Sequence, residues 1–207
     1  MNPWWWLLVP AAYLLGSVSF AWLAGRLKGL DLNQHGSGNL GATNAGRVLG
    51  GRWFAVVMVC DLLKGLAPVL GSNLAGDSWM PIATALAVVL GHVFTCFHGF
   101  KGGKAVATSL GVLIGLAPWA ALIIFVCWVT VWFLAWQALR LSRADAVGPA
   151  SIMAAAAVVP AYLATTRPWQ PPTLGFIALL AALVLIKHRS NLAKFVGQMR
   201  ERKAPMP

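Results

Sequence analysis

Few stretches of this chain are fit to face water. Apolar runs near 4–25, 53–73, 80–97, 105–117, 119–139, 151–165 and 174–186 succeed one another with short polar connections. The hydrocarbon core of a bilayer is about 30 Å thick and takes roughly 20 apolar residues of helix to cross. Apolar runs of about that length are read as membrane-spanning helices. The reading is an all-α integral membrane protein of seven transmembrane helices, forming a single domain over 1–207. The stretch from Ala105 to Leu139 is too long for one span. Gly115 and Pro118 interrupt it, so it is expected to form a helical hairpin.

Charge placement orients the bundle. Apolar residues make up 59% of the chain and charged residues only 10%, too little polar surface for a soluble domain of this length. The formal net charge of +11 arises from 16 basic and 5 acidic residues. In a soluble protein that excess would suggest nucleic acid; here the positive-inside rule accounts for it, and no nucleic acid is expected. With the N-terminus outside, Arg26, Lys28, Arg47, Arg52, Lys101, Lys104, Arg140, Arg143, Lys187, Arg189, Lys194, Arg200, Arg202 and Lys203 share the cytoplasmic side. Arg167 alone falls opposite. The C-terminus is then cytoplasmic, with the basic tail after Asn191 lying along the membrane surface. The start at Met1 and Asn2 lacks a basic n-region and is not expected to be a cleaved signal; Trp4, Trp5 and Trp6 suit an interface. Cys60, Cys96 and Cys127 lie in apolar surroundings without ligand spacing, so they are expected to pack as small hydrophobes, and no metal site is expected.

The polar cassettes carry the chemistry. Gly36-Ser37-Gly38-Asn39-Leu40-Gly41-Ala42-Thr43-Asn44, closed by Arg47, is the longest polar stretch. Frequent glycines let backbone N–H groups turn onto an anion, and Arg47 supplies a fork suited to phosphate. A second cassette, Lys101-Gly102-Gly103-Lys104, stands at the mouth of the next helix and is expected to cradle another phosphate. It is not a Walker A loop: the spacing is one short, and Ala105 stands where a magnesium-binding hydroxyl belongs. Asp61 and Lys64 share a helical face inside a span, where ionisable groups pair or line a cavity. His92 closes the third span, and His188-Arg189-Ser190-Asn191 closes the last. Two anion cradles on one membrane face, above an apolar bundle able to hold an acyl chain, point to phospholipid chemistry. No His is followed five residues later by Asp, and no aspartate cluster is present for metal-dependent transfer of phospho-alcohols. A carrier of organic phosphates or lipids built on the same loops is the alternative, although no inverted repeat is visible.

These motifs, in this order, resemble those of the bacterial membrane acyl-phosphate:glycerol-3-phosphate acyltransferases. The likeness runs from Gly16-Ser17 through the Gly36–Arg47 loop, Asp61-x-x-Lys64-Gly65, Gly91-His92 and Phe100-Lys101-Gly102-Gly103-Lys104 with Val106-Ala107-Thr108, to His188-Arg189-x-Asn191. It implies transfer of a fatty acyl group from acyl phosphate to the 1-hydroxyl of glycerol 3-phosphate at a cytoplasm-facing site in the bacterial inner membrane. No cofactor is implied, and neither CoA nor acyl carrier protein is the donor. On that reading Ser37, Arg47, Lys104, His188 and Asn191 are catalytic. Gly36, Gly38, Asn39, Gly41, Thr43, Asn44, Lys101, Gly102 and Gly103 bind phosphates, and Asp61, Lys64 and His92 support the site. The chain departs from the family pattern at Asn33, Ala105 and Ser190. The Arg-x-x-Ser-Leu-Ala-Ser-Ile stretch of the family after the fifth span survives only as Arg143 and Ala150-Ser151-Ile152, with Asp145, Gly148 and Pro149 between.

Overall fold

In the structure, a computed structural model, residues 3–203 are described; Met1, Asn2 and the end of the tail lie outside, as do the side chains of Lys194, Arg200, Arg202 and Lys203. A 3₁₀ turn over Pro3–Leu7 leads into α1 (Leu8–Ser17) and α2 (Phe20–Leu27). Next come α3 (Ala42–Leu49), α4 (Gly51–Asn73) and α5 (Met80–Val93). The second half holds α6 (Val106–Leu116), α7 (Pro118–Gln137), α8 (Val147–Thr165), α9 (Pro171–Lys187) and α10 (Arg189–Lys203). No strand occurs among the described residues.

Five helical stretches are long and apolar enough to cross a membrane: Pro3–Leu27, Gly51–Asn73, Met80–His98, Pro118–Gln137 and Val147–Thr165. A sixth is reached if α9 and the Arg189–Gly197 part of α10, which meet at a 51° bend, count as one. The short α6 spans about 16 Å at roughly 1.5 Å per residue, half of what a crossing needs. The break expected at Gly115 and Pro118 is present: α6 stops at Leu116, and Pro118 opens α7 at a position where its missing N–H costs nothing.

The first span was expected to be one helix over 4–25, and here the structure differs. It breaks at Val18, and Ser19 caps the new start by accepting the Trp22 N–H at 3.1 Å. The carbonyls freed by the break are not left bare. Thr95 Oγ1 donates to Ser17 O at 2.7 Å, and Lys64 Nζ donates to Val18 O at 2.7 Å. Lys64 is also paired with Asp61 at 2.8 Å, both almost fully buried. The ion pair inside the second span thus mends an irregularity in the first.

Two reciprocal glycine crossings bring helices within backbone contact. Between α1 and α5, a Cβ on Gly16 would overlap the Val88 carbonyl, and one on Gly91 would overlap the Tyr13 carbonyl. Between α4 and α6, a Cβ on Gly65 would meet Thr108 O, and one on Gly111 would meet Leu62 O. Small residues at crossings are how helices associate where lipid offers no hydrophobic drive. The main core, built on Val69, Val88, Val112, Tyr162 and Ile177, fills the space among α4, α5, α6, α7, α8 and α9.

Gly111→Ala is therefore expected to destabilise by about 2 kcal/mol or more, because backbone and not a side-chain tip must give way. Gly71→Ala, in the same α4 but with open space around it, should stabilise by about 0.5–1 kcal/mol. Thermal unfolding in one detergent checks both; equal shifts would refute the crossing argument.

Candidate active site

The opening loop is organised by Asn44, the third residue of α3. Its Oδ1 accepts the Ser37 N–H at 2.7 Å, while Nδ2 donates to Leu32 O at 3.1 Å and His35 O at 3.0 Å. Asn44, expected to hold phosphate, lines the cavity, and its amide ties the loop together with the side chain 1% exposed. Gly36 follows from the same contact. It adopts φ +64°, and a Cβ there would overlap Asn44 Oδ1. Gly38, at φ +69°, completes the turn. Ser37, Asn39, Gly41 and Thr43 are thereby presented to a cavity at the start of α3.

The second cassette is built differently from the sequence expectation. The Gly102 N–H donates to Val93 O and the Gly103 N–H to His92 O, each at 3.1 Å. These amides satisfy the open carbonyls at the end of α5 and are not offered to an anion. Their lack of a Cβ serves packing: on Gly102 it would overlap His92 O, and on Gly103 the ring Nε2 of His92. Gly102 and Gly103, expected to form a backbone cradle, here cap α5. Lys101 is exposed and does not line the cavity. Lys104 does. Ala105, where the family pattern has glycine, holds φ +58° as α6 begins.

From these elements a cavity of about 290 Å³ forms among α3, α4, α6, α7, α8, α9 and the start of α10. Its polar mouth gathers Ser37, Asn39, Thr43, Arg47, Lys104, Asp145, His188 and Asn191. Lys104 Nζ donates to Asn191 Oδ1. Gly148 lets Asn191 sit this low, since a Cβ there would lie 2.9 Å from Asn191 Nδ2. The Arg47 and Lys187 cations lie close enough to add like charge beside Lys104. Lys187, which the motifs did not single out, packs over the Phe94 ring at 5.4 Å. Arg47 pairs with Asp145 at 3.2 Å, a partner that no sequence motif pointed to.

His188 is 2% exposed, at the junction of α9 and α10. Its Nδ1 lies 2.8 Å from Val184 O, an acceptor only, so Nδ1 carries the proton and Nε2 carries the lone pair. Burial pushes its pKa down from 6.5 to about 4, with the Val184 hydrogen bond opposing and Lys104 adding repulsion. The imidazole is neutral at pH 7 and can accept a hydroxyl proton. Deeper in, His92 Nδ1 stands 3.0 Å from Thr108 Oγ1 and 3.8 Å from Asp61. Below the mouth the lining turns apolar: Leu113, Ile124, Ala154, Val158 and Leu180, all buried. Val147 and Val158, the ends of the α8 lining, are separated by about 16 Å along the helix at roughly 1.5 Å per residue. Among the described residues no group of three or more His, Cys, Asp or Glu is placed to hold a metal ion.

The family model described as glycerol-3-phosphate acyltransferase matches residues 6–198. This chain belongs to that family. Among curated relatives of that name, one from Aquifex aeolicus is 38% identical over 192 residues, covering 91% of this chain and 94% of its own. One from Geobacter metallireducens is 45% identical over 190 residues, covering 91% and 92%. Among solved structures, the crystal structure of PlsY (YgiH), an integral membrane glycerol 3-phosphate acyltransferase, matches in its glycerol 3-phosphate form. Its TM-score is 0.83 at 37% identity, covering 94% of this chain and 92% of that one. Its lysophosphatidic acid form matches with a TM-score of 0.81. The all-helical membrane architecture of this acyltransferase family member is therefore the fold of a known integral membrane enzyme.

The His188 environment has a consequence for stability. The unfolded imidazole titrates near 6.5 and the folded one near 4, so below pH 6.5 the unfolded chain binds the extra proton. The contribution of neutral His188 is complete above pH 6.5 and is lost between pH 6.5 and 4, by up to ~3 kcal/mol. His188→Asn should flatten the melting temperature against pH across that window. An unchanged slope would show that His188 is not buried as a neutral ring.

Proposed function

We propose that this chain transfers a fatty acyl group from acyl phosphate to the 1-hydroxyl of glycerol 3-phosphate. The products are 1-acyl-glycerol 3-phosphate and inorganic phosphate, the first acylation of phospholipid synthesis. The observation that carries this reading is the continuity of one cavity, cationic at the mouth and apolar within. Phosphate groups suit Ser37, Asn39, Thr43, Arg47 and Lys104; an acyl chain suits the arm ending at Leu113, Val158 and Leu180. The glycerol 3-phosphate and lysophosphatidic acid forms of the solved relative support the same pairing of ligands.

Acyl phosphate is a mixed anhydride and already activated, so no covalent enzyme intermediate is needed. The acceptor hydroxyl oxygen attacks the carbonyl carbon, and the bond from that carbon to the phosphate oxygen breaks. The hydroxyl proton passes to Nε2 of His188 or to the departing phosphate, whose growing charge Arg47 and Lys104 stabilise. Asn191 fixes the Lys104 ammonium, and Asp61 and His92 form the floor beneath.

The chain crosses the bilayer seven times on this reading, with α6 and the irregular segment before it sharing one crossing. The N-terminus is outside and the C-terminus cytoplasmic, in the bacterial inner membrane. Irregular backbone at such a depth is tolerated because Gly102 and Gly103 are bonded to α5. The cation-rich mouth then faces the cytoplasm, in keeping with the positive-inside rule. A carrier using the same anion groups would need a polar route onward. The inner arm is lined by apolar side chains such as Leu113, Val158 and Leu180, which supports the enzyme.

The test is release of inorganic phosphate by the purified protein in lipid, given palmitoyl phosphate and glycerol 3-phosphate. Turnover is expected, while palmitoyl-CoA should release CoA at a negligible rate. Lys104→Ala should lose at least tenfold in turnover, about 1.4 kcal/mol of transition-state stabilisation, and Lys101→Ala should stay near normal. Ligand binding without turnover, or equal use of palmitoyl-CoA, would defeat the proposal.

A further inference from the structure

Arg47 and Asp145 both face the cavity, and they come from opposite sides of its mouth. Arg47 belongs to α3; Asp145 stands on the turn leading into α8, 98 residues later. Arg47 Nη2 donates to Asp145 Oδ1 at 3.2 Å, and the two side chains are 34% and 26% exposed. The carboxylate is set in place by its own turn. Ser142 Oγ donates to Asp145 Oδ2 at 2.7 Å and accepts the Asp145 N–H at 3.1 Å. The acid is therefore a fixed part of the mouth. Of the acidic residues lining the cavity, the other is Asp61, whose charge is answered by Lys64 deeper in.

A carboxylate on Arg47 and a phosphate on Arg47 compete. The guanidinium fork satisfies either one well, and a phosphate dianion seated beside an ionised carboxylate meets like-charge repulsion. We propose that Asp145 is a built-in counterion that holds Arg47 in the unliganded cavity, links α3 to the α7–α8 turn across the mouth, and is displaced when a substrate phosphate arrives. Asp145 is then a determinant of affinity for the phosphate-bearing ligand: it weakens binding of glycerol 3-phosphate and of phosphate alike, and it eases the departure of product phosphate. The link holds the mouth narrow until an anion with more charge than a carboxylate replaces it. This inference rests on the phosphate-binding role of Arg47 in the proposed function.

The experiment uses full-length protein in detergent, with inorganic phosphate and glycerol 3-phosphate as separate calorimetric probes, followed by steady-state kinetics. Asp145→Asn keeps shape and removes charge. It should tighten both ligands at least threefold, lower KM for glycerol 3-phosphate by a similar factor, and leave kcat unraised. Ser142→Ala, which loosens the carboxylate without touching its charge, should move binding in the same direction by a smaller factor. It also decides the matter should Asp145→Asn fail to fold. Binding unchanged or weakened in the variant that folds would overturn the proposal, and would mean that Asp145 orients Arg47 for the ligand. If phosphate binds more tightly in Asp145→Asn but the native protein never turns over acyl phosphate, the counterion role stands and the acyltransferase reading falls.

Discussion

Lipid tails are as apolar as leucine, so helices in a bilayer gain little by hiding apolar faces from one another. What they can gain is close contact, and here it is concentrated at two backbone crossings, α1 on α5 and α4 on α6. Several of the polar groups are positioned through them. The α1–α5 crossing brings Thr95 against the broken first span and sets the end of α5 where Gly102 and Gly103 can cap it. The cap delivers Lys104 to the mouth of the cavity. The α4–α6 crossing places Thr108 beside His92, with Asp61 close behind. Two contacts of a few atoms each, both closed to any side chain larger than hydrogen, fix where the charges stand.

Buried charge is the second theme. A bilayer protein with 5 acidic and 16 basic residues has few acids to place, and each of those that reach the interior has a defined neighbour. Asp61 answers Lys64, which in turn completes hydrogen bonding at the α1–α2 break. Asp145 answers Arg47 at the mouth. Among the described residues Lys104 has an amide partner and no carboxylate, and Arg47 and Lys187 add like charge nearby. An unneutralised ammonium in a half-buried mouth is an attractive place for a phosphate, and it is the group on which the proposed chemistry leans most.

Much of this was legible in the sequence, and the misses share a cause. Apolar runs showed the helices, and Pro118 showed the break between α6 and α7, because bilayer thickness and proline geometry are local constraints. The gathering of Ser37, Arg47, Lys104, His188 and Asn191 at one cavity followed from the motifs. Glycine and asparagine suit anion loops, but the internal hydrogen bonds that Asn44, Gly102 and Gly103 make depend on what packs beside them, which no local pattern shows. The break at Val18 was missed for the same reason, since Thr95 and Lys64, far along the chain, make it tolerable. Asp145 had no motif at all: its partner is 98 residues away.

The central claim is that a single mouth, built on Ser37, Arg47 and Lys104, receives the phosphate while the glycines of the second cassette take no part. A crystal structure of this protein grown from lipid with glycerol 3-phosphate tests it most directly. The account predicts phosphate oxygens within hydrogen-bond distance of Arg47 and Lys104, with the Gly102 and Gly103 amides still bonded to Val93 and His92. Phosphate seated on the Gly102–Gly103 amides, with Lys101 beside it and Arg47 still on Asp145, would contradict it.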